Sequence, residues 1–304
     1  MVLVAAMAAI GIALATRGQL ADERTRSALA RGEARLLARG ALGTVKNLIA
    51  EEDATFDAPG DLWSRGLGWE SGDGTRVEAQ ITDESARFPI ETLWTKENGG
   101  RLDLDARDAF ERLLAAMDLP VSTSDVAIDW CDPDDDPFPR GAEAATYAEA
   151  AKSDPFSVPP ISFTPPMDRP ANRPFRLPEE ARHLAGLKPE EAARLGDAVT
   201  TLGGGKINLN TASPEVLRSL SSRIDADLAR QIHARARRIP FRSLEDLAAV
   251  PGSPPGLVAE IAPRADVKSG AFRVRIRATV RGEVAEVVAV LRRGEGIETI
   301  LYRE

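Results

Sequence analysis

The chain opens on sixteen residues without a charge, Met1 to Thr16 (MVLVAAMAAIGIALAT), and Arg17 ends the run. As a helix this run reaches about 24 Å, short of the ~30 Å hydrocarbon core of a bilayer. From Gln19 to Glu52 the pattern turns amphipathic. Leu29, Leu36, Leu37, Val45, Leu48 and Ile49 recur near helical spacing with arginines and acids between them. The pattern predicts one continuous helix, an apolar half followed by an amphipathic half. The first half suits a membrane, where a plain single-span anchor is one reading, and the second suits packing on a globular domain. No basic stretch precedes the run and no small-residue cleavage site closes it, which argues against an ordinary cleaved signal peptide.

Further on the period changes from helical to two. Val77, Ala79 and Ile81 alternate with Glu78 and Gln80 after a Ser71–Gly74 turn, predicting a half-buried strand that follows Leu62–Trp69 as a hairpin. Residues 107–117 read as a helix with Phe110, Leu113 and Leu114 on one face. Residues 154–178 hold eight prolines and predict an extended loop. Helical patterns return over 178–202 and 210–263. Alternation returns at Phe272, Val274, Ile276 and Ala278, against Arg273, Arg275 and Arg277. Arg281-Gly282-Glu283 can turn the chain into a second strand, Val284–Leu291. Strands on either side of a helical stretch predict one antiparallel sheet interrupted by an inserted helical domain.

Composition narrows the function. A length of 304 residues fits about two domains. The net charge of −8 disfavours a whole-molecule polyanion binder, because phosphate neutralisation carries most nucleic-acid affinity. Cys131 is the single cysteine, so no internal disulfide forms, and it reads as a small apolar residue. His183 and His233 are far apart, without ligand-like spacing. Gly203-Gly204-Gly205-Lys206 lacks both the earlier glycine (Thr200) and the following hydroxyl (Ile207) of a phosphate loop. No nucleophile–base arrangement is visible, and the expectation is a protein that is not an enzyme, without catalytic residues.

One loop does carry chemistry. Asp132, Asp134 and Asp136 stand at relative positions 1, 3 and 5, and Glu143 at 12, the spacing of an oxygen-ligand calcium loop. Pro137 replaces the glycine of an EF-hand, so the loop is not one. These four residues are the candidate ligands of a structural calcium ion; a solvated acidic loop is the alternative.

The segment Lys206-Ile207-Asn208-Leu209-Asn210-Thr211-Ala212-Ser213-Pro214-Glu215 predicts a short strand running into a helix, with Thr211 as cap and Pro214 in the first turn. Such a segment opens helix-hairpin-helix units, some of which bind DNA. Here the hairpin Leu220–Asp225 has no glycine, and Pro251, Pro254 and Pro255 remove amides from the second. No nucleic acid is therefore expected as partner. A membrane-tethered helix-hairpin-helix DNA-binding protein of competence type remains the rival reading.

Taken in order, several segments resemble general secretion pathway protein K, the minor pseudopilin family of type II secretion. They are Asp83-Glu84-Ser85, Ile128-Asp129-Trp130-Cys131-Asp132, Gly141-Ala142-Glu143 with Tyr147, Lys206–Leu217, Phe241–Leu247 and the terminal hairpin from Phe272. Arg87-Phe88-Pro89-Ile90 departs from the family's I-N-L-N-like run. Pseudopilins carry a basic leader; none precedes Met1, so the sequence reads as mature-like or as starting at a downstream methionine. Ala5 then fits the family's lack of a glutamate at the fifth mature position. The resemblance implies an α+β protein: a pilin-like long N-terminal helix with a small antiparallel sheet, plus a large inserted all-α domain containing a helix-hairpin-helix/SAM-like unit. Expected boundaries are a membrane-inserting helix at 1–16, a pilin-like domain of 17–95 and 266–304, and an insert of 96–265. The insert includes the loop 154–178 and the unit 206–263. The resemblance further implies a single-pass inner-membrane protein with its globular part in the periplasm, incorporated at the pseudopilus tip, where it primes assembly with minor pseudopilins I and J. Structural calcium is associated with the family.

Overall fold

The computed structural model describes residues 2–52, 55–95, 100–153 and 169–304. Most of the proline-rich stretch, 154–168, lies outside the described residues. A single helix α1 (Val2–Glu51) of 50 residues spans the N-terminal region, about 75 Å at 1.5 Å per residue. Among the described residues no helix is long and apolar enough to cross a membrane.

Five antiparallel strands form one sheet in the order β1 (Leu67–Glu70), β2 (Arg76–Asp83), β3 (Ala271–Val280), β4 (Glu283–Arg293) and β5 (Ile297–Arg303). The whole helical insert lies between β2 and β3, yet these two pair directly, with Val77 opposite Ala278, Ala79 opposite Ile276 and Ile81 opposite Val274. The β3–β4 turn has two residues at positive φ, Arg281 at 50° and Gly282 at 84°, which matches a primed hairpin turn. Sequence alternation missed β5, whose apolar residues Ile300, Leu301 and Tyr302 run consecutively rather than alternate and whose pairing with β4 slips at a bulge between Val290 and Leu291.

α1 lies on the inner face of this sheet. Its buried positions are Ala30, Ala34, Ala38, Leu42, Val45 and Ile49, set against Ile81, Phe272, Val274, Ile276, Val287 and Leu291. The leucines that suggested a seam do not make it: Leu29 is 66% and Leu36 69% exposed. Three alanines at spacing four instead let the helix backbone settle close to the sheet. Trp63 closes the far end, edge-on to Phe272 at 5.1 Å.

A second core belongs to the insert. Helices α2 (Leu104–Ala116), α3 (Thr123–Cys131), α4 (Ala144–Ser153), α5 (Pro189–Ala198), α6 (Pro214–Ser219), α7 (Ala226–Ala236) and α8 (Leu257–Ile261) surround Phe110, Leu113, Trp130, Leu195, Leu217 and Phe241. Phe88, Ile90 and Leu93 pack into this core as well, although they directly follow the first strands. Asp103 caps α2 through the amide of Ala106 at 2.9 Å. Asp225 caps α7 through Leu228 at 2.8 Å. Ser213, not Thr211, caps α6, its Oγ accepting from Val216 at 3.3 Å. Thr211 is spent on a long-range bond instead, donating to Asp83 at 2.5 Å.

That bond belongs to a buried joint between the two cores. Asp83, at the end of β2, accepts on Oδ2 from Thr211, from Ser269 Oγ at 2.6 Å and from Asn208 Nδ2 at 3.2 Å. Its Oδ1 takes the amide of Ser85 at 2.8 Å. Asn208 also donates to the carbonyl of Asp57 at 3.0 Å, and Asp57 is paired with Arg293 at 2.5 Å. Glu84 sits beside them with Arg273 at 2.5 Å, Arg87 at 2.9 Å and the Thr200 hydroxyl at 2.5 Å. Arg31 meets Glu283 beside the β3–β4 turn, at the opposite end of the sheet from this joint. The insert thus sits at the C-terminal end of α1, away from its apolar start.

Candidate functional site

The acidic loop begins where α3 ends. α3 is buried along its whole length. Its first carboxylate, Asp125, is satisfied by Arg107 at 2.8 Å and Arg140 at 3.0 Å. One turn later Asp129 is wholly buried and has no basic partner. Its Oδ1 accepts from the amide of Phe138 at 3.0 Å, whereas its Oδ2 is buried without a hydrogen bond. Gly141 makes room for this carboxylate, since a β-carbon there would strike it.

Asp132 and Glu143 complete the buried group. Asp132 Oδ1 and both carboxylate oxygens of Glu143 are buried and unpartnered. Burial first, and then the charges of Asp134 and Asp129, push Asp132 up to about 7. Burial, followed by Asp129, Asp132, Asp135 and Asp134, pushes Glu143 up to about 7. Asp129 is raised for the same reason. Buried carboxylates that repel one another hold protons to unusually high pH.

Of the four sequence candidates, Asp132 and Glu143 are buried and Asp134 is exposed, near enough for its charge to act on both. Asp134 Oδ1 is occupied by the amide of Asp136 at 3.0 Å. Asp136 is exposed and does not join the group; Asp135 acts on Glu143 instead. Asp129 was not among the candidates. Its signal was present in Asp129-Trp130-Cys131-Asp132, because a spacing of three on a helix sets both carboxylates on one face. Among the described residues, no three His, Cys, Asp or Glu side chains are gathered so as to hold a metal ion as they stand. The fit to a hard cation rests on the chemistry of the group: buried carboxylate oxygens with neither a donor nor a counter-charge.

The remaining chemistry of the insert is spent internally. In the hairpin after α6, the Arg223 amide donates to Ser221 Oγ at 3.0 Å and the Ile224 amide to the Ser221 carbonyl at 3.1 Å. In the second hairpin the Ser253 amide donates to Val250 at 3.0 Å. These three hairpin amides are thus not free to cradle a phosphate. The arginine cluster is similarly engaged. Arg230 pairs with Asp227, Arg235 lies over Phe241 at 4.9 Å, and Arg237 donates to His233 at 3.0 Å. Cys131 is buried, and burial pushes its thiol up to about 12, so it is an inert core residue.

Comparison with known proteins agrees with this geometry. Two family models, both described as Type II secretion system (T2SS), protein K, match residues 86–204 and 207–268, together more than half of the chain. The crystal structure of the GspK-GspI-GspJ complex from the enterotoxigenic Escherichia coli type 2 secretion system contains a chain of similar fold. The TM-score is 0.65 at 17% identity, covering 94% of this chain and 98% of that one. No curated protein sequence matches. The long helix, the interrupted sheet and the helical insert therefore have a family: this chain belongs to protein K of the type II secretion system, a minor pseudopilin and a structural component of a secretion machine.

Proposed function

We propose that this chain occupies the tip of the pseudopilus, primes its assembly together with minor pseudopilins I and J, and is not an enzyme. The supporting observation is the position of the insert. It is joined to the sheet through Asp83, Asn208 and Ser269, at the end remote from the apolar start of α1. In a fibre whose subunits share parallel N-terminal helices, a domain of this size at the distal end obstructs the seat of a subunit beyond it and leaves the side of the helix start open to the subunits that follow. The residues 1–16 are the segment that would insert in the inner membrane before assembly, leaving the globular part in the periplasm. The solved relative was crystallised with GspI and GspJ, which supports the choice of partners.

The acidic loop is proposed as a structural calcium site held by Asp129, Asp132, Asp134 and Glu143. A bound calcium ion would supply the positive charge that these carboxylates lack. The residues fix the loop between α3 and α4, and Gly141 leaves space for Asp129. The partner reading is tested by mixing the full chain in detergent with minor pseudopilins I and J. Co-elution as one stoichiometric complex is expected; separate elution at micromolar concentrations would count against it.

A further inference from the structure

β1 is an edge strand. Its neighbour in the sheet is β2, and among the described residues nothing pairs with its other side. Edge strands are commonly guarded by proline or lysine, because their free amides and carbonyls accept another strand. β1 reads Leu67-Gly68-Trp69-Glu70 and carries neither guard.

The two faces of this edge differ. Leu67 and Trp69 stand opposite Ala79 and Val77, on the side of the sheet that α1 covers. Between them and Leu36, Leu37 and Ala41 of α1 runs an apolar groove of about 430 Å³. Trp69 is 55% and Leu36 69% exposed along it, so apolar surface meets water at the open edge. On the outer face the chain has no side chain at Gly66 or Gly68. A second groove, of about 630 Å³, runs over these glycines and is bounded by Arg65 and by Arg275 and Arg277 of β3. A β-carbon on Gly68 would meet open space, so the floor there is backbone alone. The arginines exceed the acids that answer them. Arg275 at 3.8 Å and Arg277 at 3.3 Å share the carboxylate of Glu286, and Arg65 donates to the Gly60 carbonyl. Glu78, the acid lining the groove, is held by Arg76 at 3.2 Å.

We propose that the free edge of β1 is a docking site for an extended segment of a partner protein in which apolar and acidic side chains alternate. Such a segment continues the sheet, its backbone bonding to the outward amides and carbonyls of β1. Side chains alternate across a strand, so one set enters the apolar groove beside Trp69 and Leu36. The other set lies over Gly66 and Gly68, where the missing side chains let acids meet Arg65 and approach Arg275 and Arg277. A second copy of this chain is a poor match. Its own β1 offers one acid, Glu70, which is already near Arg76 at 3.6 Å, and it places glycine where acids are wanted. The site involves neither the insert nor the acidic loop, so it stands or falls apart from the tip and calcium readings.

The test uses the full chain in detergent and short synthetic peptides that alternate valine with glutamate or valine with lysine. Binding is read by fluorescence anisotropy of labelled peptide, and edge occupancy by amide hydrogen exchange over residues 67–70. The glutamate peptide is expected to bind at least about tenfold more tightly than the lysine peptide and to slow exchange in β1. A glutamate peptide N-methylated at its amides cannot pair as a strand and is expected not to bind. Trp69→Ala should weaken the glutamate peptide about tenfold. Arg275→Glu, at a side chain 60% exposed, should lose the preference for glutamate, with circular dichroism showing that both variants fold. Equal affinity for the lysine or N-methylated peptide, unchanged exchange over 67–70, or no binding of the glutamate peptide would overturn the proposal. Self-association of the chain that the glutamate peptide competes away would also overturn it, by making a second copy the occupant.

Discussion

Asp83 gathers three side-chain donors on a single carboxylate oxygen: Asn208, Thr211 and Ser269, from two stretches of chain far from it in sequence. It is wholly within the joint, and burial pushes it up to about 6 despite these bonds. Truncating it removes the one acceptor that these three donors share, and the acceptor of the Ser85 amide with it. Asp83→Ala is expected to cost about 3 kcal/mol or more, read as a lower urea midpoint at unchanged slope. A loss below about 1 kcal/mol would mean that the joint does not fasten the two cores. The acidic loop makes a second residue-scale prediction, about pH. The folded values of Asp132 and Glu143, about 7, lie above the ordinary carboxylate range near 4. Between those limits the folded state binds more protons than the unfolded one, so stability falls as pH rises from about 4 to about 7. On the proposed reading of the loop, a bound calcium ion would take the place of these protons. Melting curves from pH 5 to 8 should therefore slope downward with chelator and be flatter with millimolar calcium. Asp132→Ala and Glu143→Ala should remove most of the calcium effect, whereas Asp154→Ala should not. Identical slopes with and without calcium would leave only a solvated acidic loop.

At the scale of elements, α1 and the sheet depend on small residues more than on large ones. Ala34 and Ala38 are wholly buried against the strands, while Leu36 is largely exposed. Ala38→Leu should overpack the contact and cost about 1–3 kcal/mol, whereas Leu36→Ala should change stability by no more than about 0.5 kcal/mol. The reverse order in thermal melts would contradict the packing described. Deleting residues 272–304 removes β3, the strand that pairs with β2, and should abolish cooperative melting of the α1–β2 region. The helix, the β2–β3 pairing and the helical insert were legible in the sequence because each rests on periodicity. The face of α1 was not, because alanine carries little hydrophobic signal and the exposed leucines carry a strong one. Thr211 misled for a different reason: a hydroxyl before a helix can cap, but its bond to Asp83 across the fold cannot be seen from local sequence. Asp129 was missed because the loop spacing was counted forward from Asp132, whereas the buried acid precedes it on the helix.

For the whole molecule, the two bodies divide the tasks. The α1–sheet unit carries the long helix, and the insert, fastened at the far end, carries the acidic loop. With the Arg223, Ile224 and Ser253 amides bonded internally and no glycine in the first hairpin, the insert should bind duplex DNA no better than a generic acidic protein at physiological salt. Submicromolar, steeply salt-dependent binding that is lost on substitution of Arg235 and Arg238 would restore the competence-type reading. The central claim concerns place in the fibre. It is tested most directly by labelling this chain with gold-conjugated antibody on sheared pseudopili and viewing them by electron microscopy. A subunit whose distal insert excludes a neighbour beyond it should be labelled at one end of each fibre. Label repeating along the shaft would contradict that.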